Sequence, residues 1–133
     1  MSDYGYEVEI RTRFRDIDAM GHVNNAVYAT YIEQARIQFL EEVVGVDVDR
    51  AGLVIATMEI DFRRPIDFGD AVTVGIGVSE IGESSMTMEY EVRRDGAVAA
   101  EAETVFVHVD RETGQAEPMP AAWRDAVAAH EAH

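Results

Sequence analysis

The chain has 133 residues, 47% of them hydrophobic and 28% charged, which suits one domain with one modest core. Its formal charge is -15, from 26 acidic residues against 11 basic ones, and all the basic residues are arginine. Such a surface disfavours nucleic-acid binding, and the absence of cysteine excludes disulfides, thiolate metal sites and cysteine nucleophiles.

Residues Tyr6–Phe14 read as a strand, with Val8, Ile10, Thr12 and Phe14 on one face and Arg11, Arg13 and Arg15 on the other. From Asn24 to Val44 the period becomes helical. Tyr28, Ile32, Ala35, Phe39 and Val43 then draw one apolar stripe, and Gly45 provides a stop. Four strand-like runs follow: Leu53–Ile66, Ala71–Ile81, Ser85–Arg94 and Ala97–Val109. The segment Asp67-Phe-Gly-Asp70 reads as a turn and Asp95-Gly96 as a two-residue hairpin. Residues Pro120–His130 read as a short C-terminal helix carrying Trp123 and Val127. One long helix between a first strand and an antiparallel run predicts an α+β domain over residues 1–133, with the sheet wrapped around the helix. No repeat, linker or membrane span is evident. The N-terminus lacks the basic start and apolar run of a signal peptide, so a cytoplasmic location is expected.

The excess of acid speaks to solubility and association instead of fold. Two origins fit it: a saline cytosol, where salt screens self-repulsion, or a GC-rich genome that favours arginine. The charge exceeds the magnitude of roughly 2–8 that suffices for a small soluble domain, which favours the halophilic reading.

The chemistry concentrates in Arg15-Asp-Ile-Asp-Ala-Met-Gly-His-Val-Asn-Asn-Ala-Val-Tyr28, which joins the first strand to the helix. A helix N-terminus presents unpaired N–H groups and a positive dipole end, both suited to polarising a carbonyl oxygen. A carboxylate beside it attacks a carbonyl carbon or activates water. Taken alone, Asp16 and Asp18 also fit turn or capping roles, and Asn24 and Asn25 fit helix caps. His22 divides evenly between a structural and a direct role.

The stretch resembles the signature Asp-x-Asp-x-x-x-His-Val-Asn-Asn-x-x-Tyr of hotdog-fold acyl-CoA thioesterases of the 4-hydroxybenzoyl-CoA thioesterase type, matched by Asp16, Asp18, His22, Val23, Asn24, Asn25 and Tyr28. It continues into Tyr31, Glu33, Ala35 and Arg36, and Asp61-Phe-Arg-Arg-Pro65 followed by Gly69-Asp70 resembles a second family segment. The similarity runs from about Val8 to Asp110. The resemblance implies a hotdog fold and hydrolysis of an acyl-CoA, with coenzyme A part of the substrate and no separate cofactor. It implies Asp18 as catalytic carboxylate, the Asn25 amide as the group facing the thioester oxygen, and His22 and Asn24 as assisting positions. It also implies a homodimer or homotetramer with sites at the subunit interface. An acyl-ACP (acyl carrier protein) thioesterase, or a non-catalytic acyl-CoA-binding module of the same fold, are the alternatives.

Asp16 is expected to hold a structural hydrogen bond or an arginine. Tyr28, Tyr31 and Phe39 fit the core, and Tyr28 also falls at the substrate-binding position. Most arginines should pair with the abundant acids, but Arg63 or Arg64 is expected to contact the coenzyme, since a guanidinium suits phosphate. His22 and the two aspartates match no spaced ligand motif, so no metal is expected. His108, His130 and His133 invite no functional reading.

Overall fold

A computed structural model describes residues 5–131; the first four residues, Ala132 and His133 lie outside the described residues. Strand β1 spans Tyr6–Ile10, helix α1 Asn25–Phe39, β2 Leu53–Phe62, β3 Val72–Ile81, β4 Ser85–Arg94, β5 Ala97–His108 and helix α2 Ala121–Glu131. All pairings are antiparallel, in the order β1-β3-β4-β5-β2. Helix α1 packs on β1 and β3, and α2 packs on a π-helical turn, Leu40–Val44, that extends α1. This is the α+β arrangement that the element order predicts, and the hotdog fold that the resemblance implies.

Along α1 the predicted stripe is buried: Tyr28, Ile32, Ala35 and Phe39 are almost inaccessible, while Val43 is half-buried. They meet Val72, Val74 and Ile76 of β3 and Met86, Met88, Tyr90 and Val92 of β4 in one core. Each large side chain so buried contributes roughly 1.5–3 kcal/mol, which is why a helix with no strong intrinsic bias is held in place. The helix closes at Gly45, whose φ of 82° is the left-handed cap geometry that a glycine adopts without strain. Asp95 and Gly96, with φ of 47° and 83°, make the tight β4–β5 hairpin that their sequence predicts.

The first strand is shorter than its alternation suggests. It stops at Ile10, and Phe14, expected on the apolar face, is 82% exposed. One long-range and one local hydrogen bond redirect the chain: Thr12 Oγ1 accepts from the Gly69 amide (3.1 Å), and the Asp16 carboxylate accepts from the Arg13 amide (2.9 Å). They close a 3-10 turn, Phe14–Asp16, where side chains no longer alternate between two faces. The run Leu53–Ile66 likewise ends early, at Phe62, because the Arg63 and Arg64 amides both turn to the Ala99 carbonyl (2.7 and 3.0 Å). A bulge between Ile55 and Thr57 breaks the alternation inside β2, so Val54 and Ile55 are both about half exposed (48% and 45%). Strand β2 lies at the sheet edge, and Tyr28 of the α1 stripe reaches it at Phe62.

Candidate active site

Asp18 is held by the loop that it opens. Its amide donates to the His22 carbonyl (2.8 Å), and the Gly21 amide donates back to the Asp18 carbonyl (3.0 Å). The Met20 amide donates to Asp18 Oδ1 (2.9 Å), so one carboxylate oxygen is fixed while the other has no partner among the described residues. The loop is pinned at both ends: Ile17 pairs with Val23, and the Val23 amide reaches the Ile66 carbonyl at 2.7 Å. That bond sets the Asp18–His22 loop beside the segment leaving β2.

Asp16 has a different setting, two residues away. It is 2% exposed and binds the Tyr31 hydroxyl (2.7 Å), the Arg13 amide and the Arg13 guanidinium (3.3 Å). Burial alone would raise its carboxyl, but the Arg13 amide, the Tyr31 hydroxyl and the Arg13 charge together hold it below the ordinary 3.8. Loss of solvent, together with the same contact, pushes the Tyr31 phenol up. A carboxylate so fully engaged is structural, as the sequence suggested.

Helix α1 begins where this loop ends. Asn24 is its N-cap, with Oδ1 accepting from the Ala26 amide (2.8 Å) and its own amide bound to the Asp16 carbonyl (2.9 Å). Asn25 is the first helical residue, so its exposed side chain caps nothing and its amide belongs to the turn that lacks intrahelical acceptors. Of the two asparagines expected as caps, Asn24 alone fills that role.

Asp18, His22, Asn25, Tyr28, Arg63 and Arg64 all line one open cleft of about 340 Å³, together with Met20, Val23, Phe62 and Pro65. Tyr28 is in the core as expected: its ring is buried edge-on against Phe62 (5.0 Å), and its hydroxyl donates to the Arg64 carbonyl (3.3 Å) at the cleft wall. Burial raises its phenol, which keeps it protonated as a donor. Arg63 lies 3.6 Å from Glu101, and Arg64 donates to the Val98 carbonyl (2.5 Å). Asn24, the cap, is not among the residues that line the cleft.

His22 is held by a residue that sequence reading assigned only to a turn. Its Nδ1 lies 2.6 Å from Asp67 Oδ1, leaving Nε2 open. The two are 45 positions apart, and no spacing rule connects them. Phe62 and Pro65 were likewise visible only as part of a motif. His108 bonds the Pro118 carbonyl and packs on Trp123, and His130 packs on Phe39. Among the described residues, no three His, Asp or Glu side chains are grouped to hold a metal ion, and no helix is long and apolar enough to cross a membrane.

A family model described as the thioesterase-like superfamily matches residues 12–128, and the chain belongs to that superfamily. A thioesterase from Thermus thermophilus, solved with coenzyme A and Zn, is 38% identical with a TM-score of 0.91, over 100% of this chain and 98% of its own. The long-chain acyl-CoA thioesterase FadM of Escherichia coli is 27% identical over 115 residues, 83% of this chain and 87% of that protein. The chloroplastic acyl-acyl carrier protein thioesterase ATL3 of Arabidopsis thaliana is 38% identical over 84 residues, 59% of this chain. That match spans 43% of the plant protein, less than half its length.

Proposed function

We propose that the protein hydrolyses the thioester of an acyl-CoA, with Asp18 as the acting carboxylate and the Asn25 amide polarising the carbonyl. The observation that carries this reading is that Asp18, with one free oxygen, and Asn25, the first residue of α1, line the same cleft. A thioester carbonyl between them would have an oxygen nucleophile on one side and a preorganised donor on the other. Either the free Asp18 oxygen attacks the carbonyl carbon, giving an acyl anhydride that water opens, or it takes a proton from water as that water attacks. Both routes break the C–S bond and release coenzyme A as the thiolate with the free acid. His22, oriented by Asp67, assists from the cleft wall, and Asn24 acts through the helix start that it caps. Tyr28, Arg63 and Arg64 bound the space for the acyl-pantetheine arm, where the two arginines supply donors to the coenzyme.

The finer placement, in the Asp-x-Asp branch of the 4-hydroxybenzoyl-CoA thioesterase type, rests on Asp16, Asp18, His22, Asn24 and Asn25 in this arrangement. The protein acts as a homodimer or homotetramer in the cytoplasm. Supporting the assembly, β2 offers a ten-residue edge with half-exposed Val54, Ile55 and Phe62, a template for pairing with a second copy. An acyl carrier protein is the second candidate acyl donor, favoured by the similarity to the plant enzyme.

A panel of acyl-CoAs and one acylated carrier protein, followed by free-thiol detection, tests the reading. Asp18→Asn should fold and bind coenzyme A but lose at least ~100-fold in turnover. Retention of more than about a tenth of the wild-type rate removes Asp18 from this role.

A further inference from the structure

A second open cleft, of about 650 Å³, is lined by residues 9–12 and 68–73, with Phe68, Gly69 and Asp70 of the Asp67–Asp70 turn in its wall. Consecutive residues join the two: Asp67 holds His22 of the first cleft, and Phe68 lines the second. Beside it stand Phe14 and Phe68, 82% and 58% exposed, with ring centroids 6.1 Å apart and nearly perpendicular. Two large aromatic side chains exposed together on so acidic a protein gain nothing for folding, since neither joins the core.

The arginines add an independent observation. Arg13, Arg36, Arg50, Arg63, Arg93 and Arg94 each lie against a carboxylate, and Arg64, Arg111 and Arg124 donate to backbone carbonyls. Arg11 and Arg15 are the two arginines with no hydrogen bond or ion pair among the described residues. Arg11 lines the second cleft, and Arg15 sits next to Phe14 in the 3-10 turn. In a chain of net charge -15, two guanidiniums with no acid partner, one lining the cleft and one adjacent to Phe14 in the chain, are a local concentration of positive charge. Two carboxylates line the cleft itself, Asp70 and Glu9. Asp70 is engaged by the Asp67 amide (2.7 Å) and Arg94 (3.4 Å), whereas Glu9 is exposed and repels an anion from its own end of the cleft.

We propose that this patch binds the phosphorylated adenosine end of coenzyme A, with one ring of the Phe14–Phe68 pair stacking on the adenine face, the other meeting its edge, and Arg11 and Arg15 taking phosphate oxygens. A planar base needs an exposed π-face, and phosphates need guanidinium forks that no acid already occupies. The inference rests on the coenzyme A reading above. It places the acyl end in the Asp18 cleft and the nucleotide across the Asp67–Asp70 turn, so the coenzyme would lie over that turn.

Calorimetric titration with three probes tests this: coenzyme A, pantetheine, and adenosine 3′,5′-bisphosphate. Wild type should bind coenzyme A at least about tenfold tighter than pantetheine, and the bisphosphate should compete for the same sites. The double variants Arg11→Gln/Arg15→Gln and Phe14→Ala/Phe68→Ala should each lower coenzyme A affinity about tenfold or more, erasing its advantage over pantetheine. Arg50→Gln, an exposed charge control paired only with Asp47, should match wild type. Equal affinity of wild type for coenzyme A and pantetheine, or double variants that titrate like Arg50→Gln, would overturn the proposal. So would variants that lose binding to an acidic carrier protein, or alter self-association, with coenzyme A affinity unchanged. Nucleotide binding at this patch without thioester hydrolysis would instead defeat the hydrolase reading alone.

Discussion

The imidazole Nδ1 of His22 lies 2.6 Å from Oδ1 of Asp67, and this contact ties the loop before α1 to the turn before β3. Both side chains are about half exposed, at 46% and 50%, so the bond orients the ring more than it stabilises the fold. If the ring works from the cleft wall, removing either partner should cost about the same. His22→Ala and Asp67→Asn should each lower kcat about tenfold, less than Asp18→Asn, and the double variant should be no worse than the singles. Additive losses in a double-mutant cycle would show that Asp67 acts independently of His22.

The helix start separates a cap from a donor. Asn24→Ala removes the side-chain acceptor of the Ala26 amide and should cost about 1 kcal/mol of stability, read from chemical denaturation. Asn25→Ala should leave stability and turnover nearly unchanged, because only the Asn25 backbone is used. Asn25→Pro tests that backbone directly. Proline suits the first helical position, and Asn24 already has the extended conformation (ψ 137°) that a residue before proline requires. The expected result is a folded protein with turnover down about 100-fold, the cost of one oxyanion donor. Large, equal losses in Asn25→Ala and Asn25→Pro would move the role to the side chain.

Asp16 predicts an acid limb of stability. Its folded-state carboxyl titrates below the ordinary 3.8, so the ionised form is favoured in the native protein. The contribution is therefore fully present above about pH 4 and is lost as pH falls through the depressed native value. Asp16→Asn should be less stable than wild type by about 2–3 kcal/mol at neutral pH, having lost charge-assisted bonds to Tyr31 and Arg13. Thermal melts should show that gap narrowing below about pH 4. A gap independent of pH would mean that shape, not charge, makes Asp16 necessary.

Salt should stabilise the protein, and the sheet register shows one place where it acts. Glu59, Glu103 and Glu89 stand opposite one another across β2, β5 and β4, and all three are exposed. Like charges so placed repel. The melting temperature and activity should both rise from about 0.1 M to about 2 M KCl, as the screening length falls from ~10 Å to a few Å. Glu103→Gln, which removes the central charge, should raise stability at low salt by about 0.2–1 kcal/mol and have little effect at high salt. A melting temperature flat across this range, with fastest turnover at low salt, would remove the halophilic reading.

The element order, the buried stripe of α1, the Gly45 stop and the Asp95-Gly96 hairpin are all legible in the chain, because each follows from periodicity or backbone geometry within a few residues. The loop from Asp16 to Tyr28 is legible too, since its residue types are dense and contiguous. Folding then gave neighbours in sequence different tasks. Asp16 is buried by Tyr31 and Arg13, while Asp18, two residues on, keeps one oxygen free. Folding also ended β1 at Ile10, turning Phe14 outward toward Phe68, and brought Asp67 to His22. The last two outcomes depend on hydrogen bonds between segments 45 and 57 positions apart, His22 to Asp67 and Gly69 to Thr12, which carry no periodic signature in the chain. Local sequence sets which conformations are open, and long-range partners select among them.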